Sequence, residues 1–421
     1  MGYNTKQVRS AILNKWDWKN PKNNIPILVW GPPGIGKTWL IMNVIAERKI
    51  EELENAINNN CFNSYYTKNE AIVMLERLKT YTNPDEVEDI LGRHSLIMRL
   101  AERPIEQIEG VPAPNFEKGY TKFLMPENLV YLKTADWVVV FLDELDKASA
   151  SKMAAVTHLI ENLRVGDFSL PKDTFIIAAA NRTQDSFLSK PVSPELCNRM
   201  AHVELDPDVL SWIGWAEPHG VEKEIINFHK FNLMRNENYL VRYGYEDNEA
   251  ASPRAFSSPR SWYNGSRLRN KVYKKYNCKY GESKDADQEA LFELEQLVGE
   301  QSSIEFLTYL NIYSKVDIKK LLNGEQKIPT IVEGETRGIR DNIMIEQYVY
   351  AFAIIEQLNE EVLAPKQAMK YLVETITSML PEIRTVFVQT IGTSNKKILK
   401  KIANHKDAEV LIDEIISYLA D

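Results

Sequence analysis

Residues 25–47 read IPILVWGPPGIGKTWLIMNVIAE. The apolar run 25–30 predicts a strand, GPPGIGKT at 31–38 a glycine-rich turn, and 39–47 the helix that leaves it. The turn fits G-x-x-x-x-G-K-[ST] through Gly31, Gly36, Lys37 and Thr38. The residue types suit a phosphate. Gly34 and Gly36 reach backbone angles closed to other residues, so loop amides can turn inward around an anion. The new helix adds its positive N-terminal end. A lysine at position 37 can reach β- and γ-phosphates, and the Thr38 hydroxyl can ligate Mg²⁺. The residues expected around a nucleotide are therefore Gly31, Pro32, Pro33, Gly34, Ile35, Gly36, Lys37, Thr38 and Trp39. An ordinary Gly/Pro turn is the competing reading. Agreement of strand, loop and helix weighs against it.

Two further apolar runs extend this frame. WVVVFL at 137–142 is apolar at every position, as a central parallel strand should be, and it delivers Asp143 and Glu144 to its end. Beside a phosphate loop, Asp143 is expected to hold Mg²⁺ through water, and Glu144 to orient and polarise the attacking water. Without that loop, the pair would read equally as an acidic cap for the helix expected over 151–163. FIIAAA at 175–180 predicts another buried strand, ending at Asn181. Asn181 suits a hydrogen bond to the attacking water or the γ-phosphate, or a plain strand-end turn. Arg199 is expected at the end of a helix starting near Ser193-Pro194-Glu195, where a helix-end cation is the simpler role.

Between these landmarks the chain is less regular. Residues 3–20 predict a short helix. Residues 48–92 are polar and helix-rich, with ERKIEELENAI and KNEAIVMLERLK at helical spacing, and read as an inserted helical pair. Asn83-Pro84 looks like a helix cap followed by proline at the first helical position. HSLIMRL at 94–100 predicts a strand. A hairpin is expected over 115–122, turning at Glu117-Lys118-Gly119, with Phe116 and Tyr120 near its tip. His202 to Leu205 reads as a last short strand. Beyond it the sequence becomes helical, including QEALFELEQLVG, SSIEFLTYLNIY and PKQAMKYLVETITSML. The expected organisation is an α/β unit over 1–206 with its helical insert at 48–92, a helical lid over 207–340, and a helical region over 341–421.

Composition bounds the function. The 421 residues have room for two or three domains, with 44% apolar and 26% charged residues as in ordinary globular chains. No apolar run is long enough to span a bilayer, and MGYNTKQVRS has no signal-like core, so a cytoplasmic protein without membrane contact is expected. Three dispersed cysteines, Cys61, Cys197 and Cys278, suggest neither a zinc site nor a disulfide framework. A formal charge of −8 does not favour wholesale nucleic-acid binding.

Taken in order, GPPGIGKT, FLDELDKA, AAANR, ELCNRM and SPRSW resemble the MoxR-type branch of the AAA+ ATPases found in bacteria and their phages. The likeness extends to RPIEQIEGVPAPN, GDFSLPKDTFIIAAANRTQD and WIGWAEPHG, and so to most of the chain. It implies an AAA+ α/β fold with a central parallel sheet followed by an all-α lid and C-terminal helices. It implies ATP and Mg²⁺ as ligands. By this resemblance Asn181 matches the sensor 1 asparagine, Arg199 the arginine finger that reaches a neighbour's γ-phosphate, and Arg260 the sensor 2 arginine of the lid. Arg254, in a second S-P-R, competes for that last role. The insert at 48–92 departs from the usual pattern. In this branch an inserted hairpin commonly lies near the central channel, which draws attention to Phe116 and Tyr120.

The expected activity is ATP hydrolysis by a ring, expected to be a hexamer, that remodels or assembles a client protein. A von Willebrand factor A-type protein is the partner class that the resemblance implies. Two alternatives stand beside it. One is a nucleic-acid motor, supported by the seven Lys/Arg and interleaved aromatics of residues 260–279. The other is a slow, nucleotide-gated scaffold.

Overall fold

The computed structural model describes residues 2–17, 20–62, 66–81, 84–102, 104–124, 127–132, 135, 137–165, 168–185, 189–242, 255–332, 336–359, 366–408 and 411. The chain divides into two compact units, Met1–Ser211 and Trp212–Asp421.

Among its described residues the first unit has nine strands: β1 (Ile27–Trp30), β2 (Ser95–Arg99), β3 (Val111–Asn115), β4 (Tyr120–Leu124), β5 (Val138–Asp143), β6 (Arg164–Val165), β7 (Phe168–Ser169), β8 (Thr174–Ala180) and β9 (Ala201–Glu204). Five of them form one sheet in the order β2-β5-β8-β1-β9, and every pairing in it is parallel. Its central strands are apolar but for Asp143 and Thr174 at their ends, because both faces are covered. Alternate residues go to opposite sides. Ile27, Val29, Val139, Phe141, Phe175 and Ile177 share one core with Leu40, Val44 and Ile45 of the helix Lys37–Asn58. Leu28, Val140, Leu142, Ile176 and Ala178 share the other with Met153, Val156 and Leu159 of the helix Ala150–Asn162. The α/β class with a central parallel sheet, expected from sequence, is the one observed.

The helix after the phosphate loop corrects the reading of its length. It does not end at Glu47 but runs unbroken for 22 residues, Lys37–Asn58, and absorbs ERKIEELENAI. Nothing in 47–57 breaks a helix, with neither Gly nor Pro there, and Lys49 is buried against Glu52 at 3.0 Å. The next two helices are Lys68–Thr80 and Pro84–Leu91. Proline is the first residue of the latter, while its expected cap, Asn83, lies outside the described residues.

Strands β3 and β4 form the hairpin, in register from Val111–Leu124 to Asn115–Tyr120. Gly119 turns it at φ 70°, and the Asn115 side chain accepts a hydrogen bond from the Lys118 amide. The tip aromatics do not pack back on the domain: Phe116 is 90% exposed and Tyr120 half exposed.

The second unit is helical, with no strand among its described residues. Its helices include Lys223–Met234, Pro259–Tyr276, Lys284–Val298, Glu300–Tyr313, Arg337–Asn359 and Pro381–Ser394. An aromatic core gathers Phe228, Trp262, Phe306 and Tyr309. Trp262 is fully buried and donates its indole N–H to the Tyr239 carbonyl at 2.9 Å. No helix of the described residues is long and apolar enough to cross a membrane.

Candidate phosphate-binding site

Strand order creates the site. Strands β5, β8 and β1 are neighbours and parallel, so the segments that follow them emerge together at one edge of the sheet. Those segments carry Asp143-Glu144, Asn181 and the loop 31–36.

The loop needs its glycines. A Cβ on Gly31 would stand 2.9 Å from the Leu205 carbonyl oxygen, and Gly34 and Gly36 have φ of 77° and 99°. No side chain caps the helix Lys37–Asn58 and no acid lies in its first turn, which suits an anion at that end. Pro32 is buried, and Pro33 and Ile35 are half-buried in the same turn. Trp39 sets its ring 5.6 Å from that of Tyr81. Tyr81 in turn donates its hydroxyl hydrogen to Asn43, and burial pushes its phenol up to about 12.

Lys37 is buried at 9% exposure. Its ammonium donates to the Gly31 carbonyl at 2.7 Å, the Pro32 carbonyl at 3.0 Å and Asn181 Oδ1 at 2.8 Å. The Thr38 hydroxyl donates to Asp143 Oδ2 at 2.9 Å. Burial pushes the Asp143 carboxyl up; the Thr38 hydroxyl and the Glu144 amide pull the other way, and the Glu144 charge adds to the rise. Glu144 sits in the left-handed region at φ 56°, rare for a residue with a side chain and common at functional turns. Its carboxylate is paired with Lys147, three residues on. Lys37 is thus bonded to Asn181, and Thr38 to Asp143, from neighbouring residues of one helix end. Glu144 joins them through its amide, which donates to Asp143 Oδ1 at 2.9 Å.

Sequence reasoning missed Asp146. It is wholly buried, and its carboxylate accepts from the Asn181 amide at 2.9 Å, Asn181 Nδ2 at 3.1 Å and the Ser189 hydroxyl at 2.6 Å. The available signal was a third acid, two residues after Glu144 in FLDELDKA.

The arginines have partners of their own. Arg199 stands just beyond the short helix Pro194–Cys197. Its Nε donates to Glu161 at 2.8 Å and its Nη1 to the Glu195 carbonyl at 2.7 Å. The Glu161 hydrogen bond raises its proton affinity further. Arg182 binds Asp185 and lies 3.5 Å from Glu204. Arg260 is exposed, second in the helix Pro259–Tyr276 of the other unit. Arg254 lies outside the described residues.

The donor set fits a magnesium–polyphosphate. Glycine-built turns, an uncapped 22-residue helix and a lysine suit the phosphates, and a hydroxyl beside a carboxylate suits a hard cation that prefers oxygen.

No family model and no curated protein matches the chain. Among solved structures it aligns with a RuvB mutant from Thermotoga maritima at 9% identity, over 76% of this chain and 75% of that one, with a TM-score of 0.33. A DNA polymerase III gamma subunit-related protein from Thermotoga maritima aligns at 11% identity over 99% and 98%, with a TM-score of 0.25. The ORC2 protein of Aeropyrum pernix, in ADPNP and ADP complexes, aligns at 11% over 92% and 93%, with a TM-score of 0.32. Similarity at this level carries no functional weight, so the site itself has to.

Proposed function

We propose that the chain is an AAA+ ATPase of the MoxR type that hydrolyses ATP as a ring, taken as a hexamer, and remodels or assembles a client protein. The observation that carries this reading is the convergence of Lys37, Thr38, Asp143 and Asn181, from three separate segments, through hydrogen bonds of 2.8 and 2.9 Å. In a plain strand–turn–helix the lysine would have no reason to be buried on a strand-end asparagine.

The residues have distinct tasks. Lys37 exchanges loop carbonyls for β- and γ-phosphate oxygens. Thr38 and Asp143 would hold Mg²⁺, which supplies charge neutralisation to the phosphates. Glu144 leaves Lys147 and orients the attacking water. Arg199 exchanges Glu161 and Glu195 for a neighbouring subunit's γ-phosphate, which makes hydrolysis depend on assembly. Arg260, with Arg254 as the alternative, senses the γ-phosphate from the lid, taken as 207–340, with 341–421 as a further helical region. The exposed Phe116 and Tyr120 suit contact with a client in the channel, a von Willebrand factor A-type protein being the class of partner in view. A cytoplasmic setting follows from this reading.

A nucleic-acid motor has less support. Within the basic stretch 260–279, Arg269 is buried against Glu222 at 2.8 Å and Lys275 is paired with Glu289 at 2.8 Å. These cations serve the helical unit before they serve a phosphate backbone.

The test is a trap. Glu144→Gln should bind ATP, stall, and retain its client, and the retained protein should stimulate turnover by the unmodified chain. A chain that binds no ATP in either form contradicts the reading. Stimulation by DNA or RNA with steep salt dependence, and by no protein, would favour the motor instead.

A further inference from the structure

We infer that Asp146 is the positioning residue that fixes the side-chain amide of Asn181, so that Asn181 turns its oxygen toward Lys37 and the phosphate site. The inference rests on the ATPase reading above and makes one of its residues specific.

Donor and acceptor inventory settles the orientation. The Lys37 ammonium carries three protons and no lone pair, so whatever faces it must accept. Asn181 Oδ1 faces it at 2.8 Å. The Asn181 Nδ2 group, turned the other way, must find an acceptor, and Asp146 Oδ2 lies 3.1 Å from it. The other carboxylate oxygen of Asp146 takes the Asn181 backbone N–H at 2.9 Å. One carboxylate thus grips one residue twice, by main chain and by side chain. Asp146 also ties down the far end of the connection that follows. Ser189 donates to its Oδ2 at 2.6 Å, and the Lys190 amide donates to its carbonyl at 2.8 Å. Asp146 is fully buried, so water does not compete for these bonds.

The chemical consequence is a choice between two roles. A strand-end asparagine beside a γ-phosphate can donate its N–H to a phosphate oxygen, or accept an O–H from the attacking water. Held by Asp146, which takes one of the two Nδ2 protons, Asn181 keeps its accepting oxygen on the Lys37 side. Without nucleotide its oxygen takes a Lys37 proton. When Lys37 turns to phosphate, that oxygen becomes free to take a proton-bearing group, and the attacking water is the one present. Asn181 therefore orients water with Glu144 through its oxygen. Asp146 touches neither water nor phosphate.

The near-isosteric Asp146→Asn tests this. Its oxygen must still accept the Asn181 backbone N–H, so its own amide N–H₂ meets the Asn181 side chain. Asn181 must then turn, placing its N–H₂ against the Lys37 ammonium and the water. With ATP affinity and single-turnover hydrolysis measured in parallel, hydrolysis should fall by roughly a hundredfold, the scale of a misplaced reacting group. ATP affinity should be unchanged or tighter, because Lys37 has lost a competing acceptor. Ser189→Ala, which removes one bond to Asp146 but leaves the grip on Asn181, should stay near the unmodified rate. A folded Asp146→Asn that hydrolyses ATP at the unmodified rate overturns the inference.

A second measurement needs neither folding of the variant nor activity. In the unmodified chain with labelled asparagine, the Asn181 side-chain N–H₂ should be protected from solvent exchange and show contacts to Ser189. An exchanging N–H₂ with contacts to the phosphate loop overturns the inference. If the unmodified chain hydrolyses no ATP, the ATPase reading falls, and this resonance still decides how Asn181 is held.

Discussion

At the scale of single residues, the proposed site separates binding from chemistry. Lys37 is a buried charge aimed at the loop, whereas Glu144 stands at the strand end, held by Lys147. Lys37→Ala is expected to lose tight ATP binding, and Glu144→Gln to keep binding and lose hydrolysis. Calorimetry alongside phosphate release checks the split, and equal loss of affinity in both folded variants would contradict it. Arg199 separates two readings more sharply. As a helix-end cation on Glu161 and Glu195, it could be removed without changing turnover. As a finger, its loss in Arg199→Ala should slow hydrolysis by roughly a thousandfold, with ATP affinity much less affected. The candidate-site residues most legible in the sequence were those within short motifs. Gly31, Lys37, Thr38 and Asp143 sit at spacings that chemistry constrains. Asp146 was not legible, because its partners Asn181 and Ser189 lie 35 and 43 positions away and only the fold brings them together.

At the scale of elements, burial sets the chemistry of a residue outside the site. His229, on the helix Lys223–Met234, is buried among the rings of Trp212, Phe228 and Trp262. Burial pushes its imidazole down to about 3 from 6.5. The fold therefore keeps it neutral, while the unfolded chain takes up a proton near the ordinary value. Its contribution is fully present above pH 6.5 and is lost as pH falls toward 3. At pH 5 the loss is about 2 kcal/mol. Denaturant unfolding of the chain and of His229→Gln at pH 7 and pH 5 should show that much less acid destabilisation in the variant. An equal acid loss in both would mean that His229 is not the group. Elements themselves were legible where the pattern was strong. The three apolar runs that became β1, β5 and β8 have no competing period, whereas their order in the sheet was legible only in the structure. The helix Lys37–Asn58 was read short because a polar stretch looked like a new element, although nothing in it stops a helix. The exposure of the hairpin tip was not legible, since an aromatic in a turn packs inward or outward according to what the fold places beside it.

At the scale of the whole molecule, the proposed chemistry requires more than one copy. Arg199 is held by Glu161 and Glu195, Arg182 by Asp185, and Arg260 is carried by the other unit. With Arg199 as the finger, the catalytic arginine comes from a neighbour, and ATP bound between two subunits should drive their assembly. Mixing inactive Lys37→Ala with inactive Arg199→Ala subunits creates some interfaces with an intact loop facing an intact arginine, and activity should return. Persistent inactivity despite proven subunit exchange would count against a shared site. The most direct measurement is ATP turnover per subunit as protein concentration is raised, with sedimentation under the same conditions. Turnover should be low for dilute monomers, rise as ATP and Mg²⁺ bring subunits together, and stay low at every concentration in Arg199→Ala. A chain that remains monomeric and hydrolyses ATP at full rate, or one that assembles and hydrolyses none, would contradict a shared catalytic site.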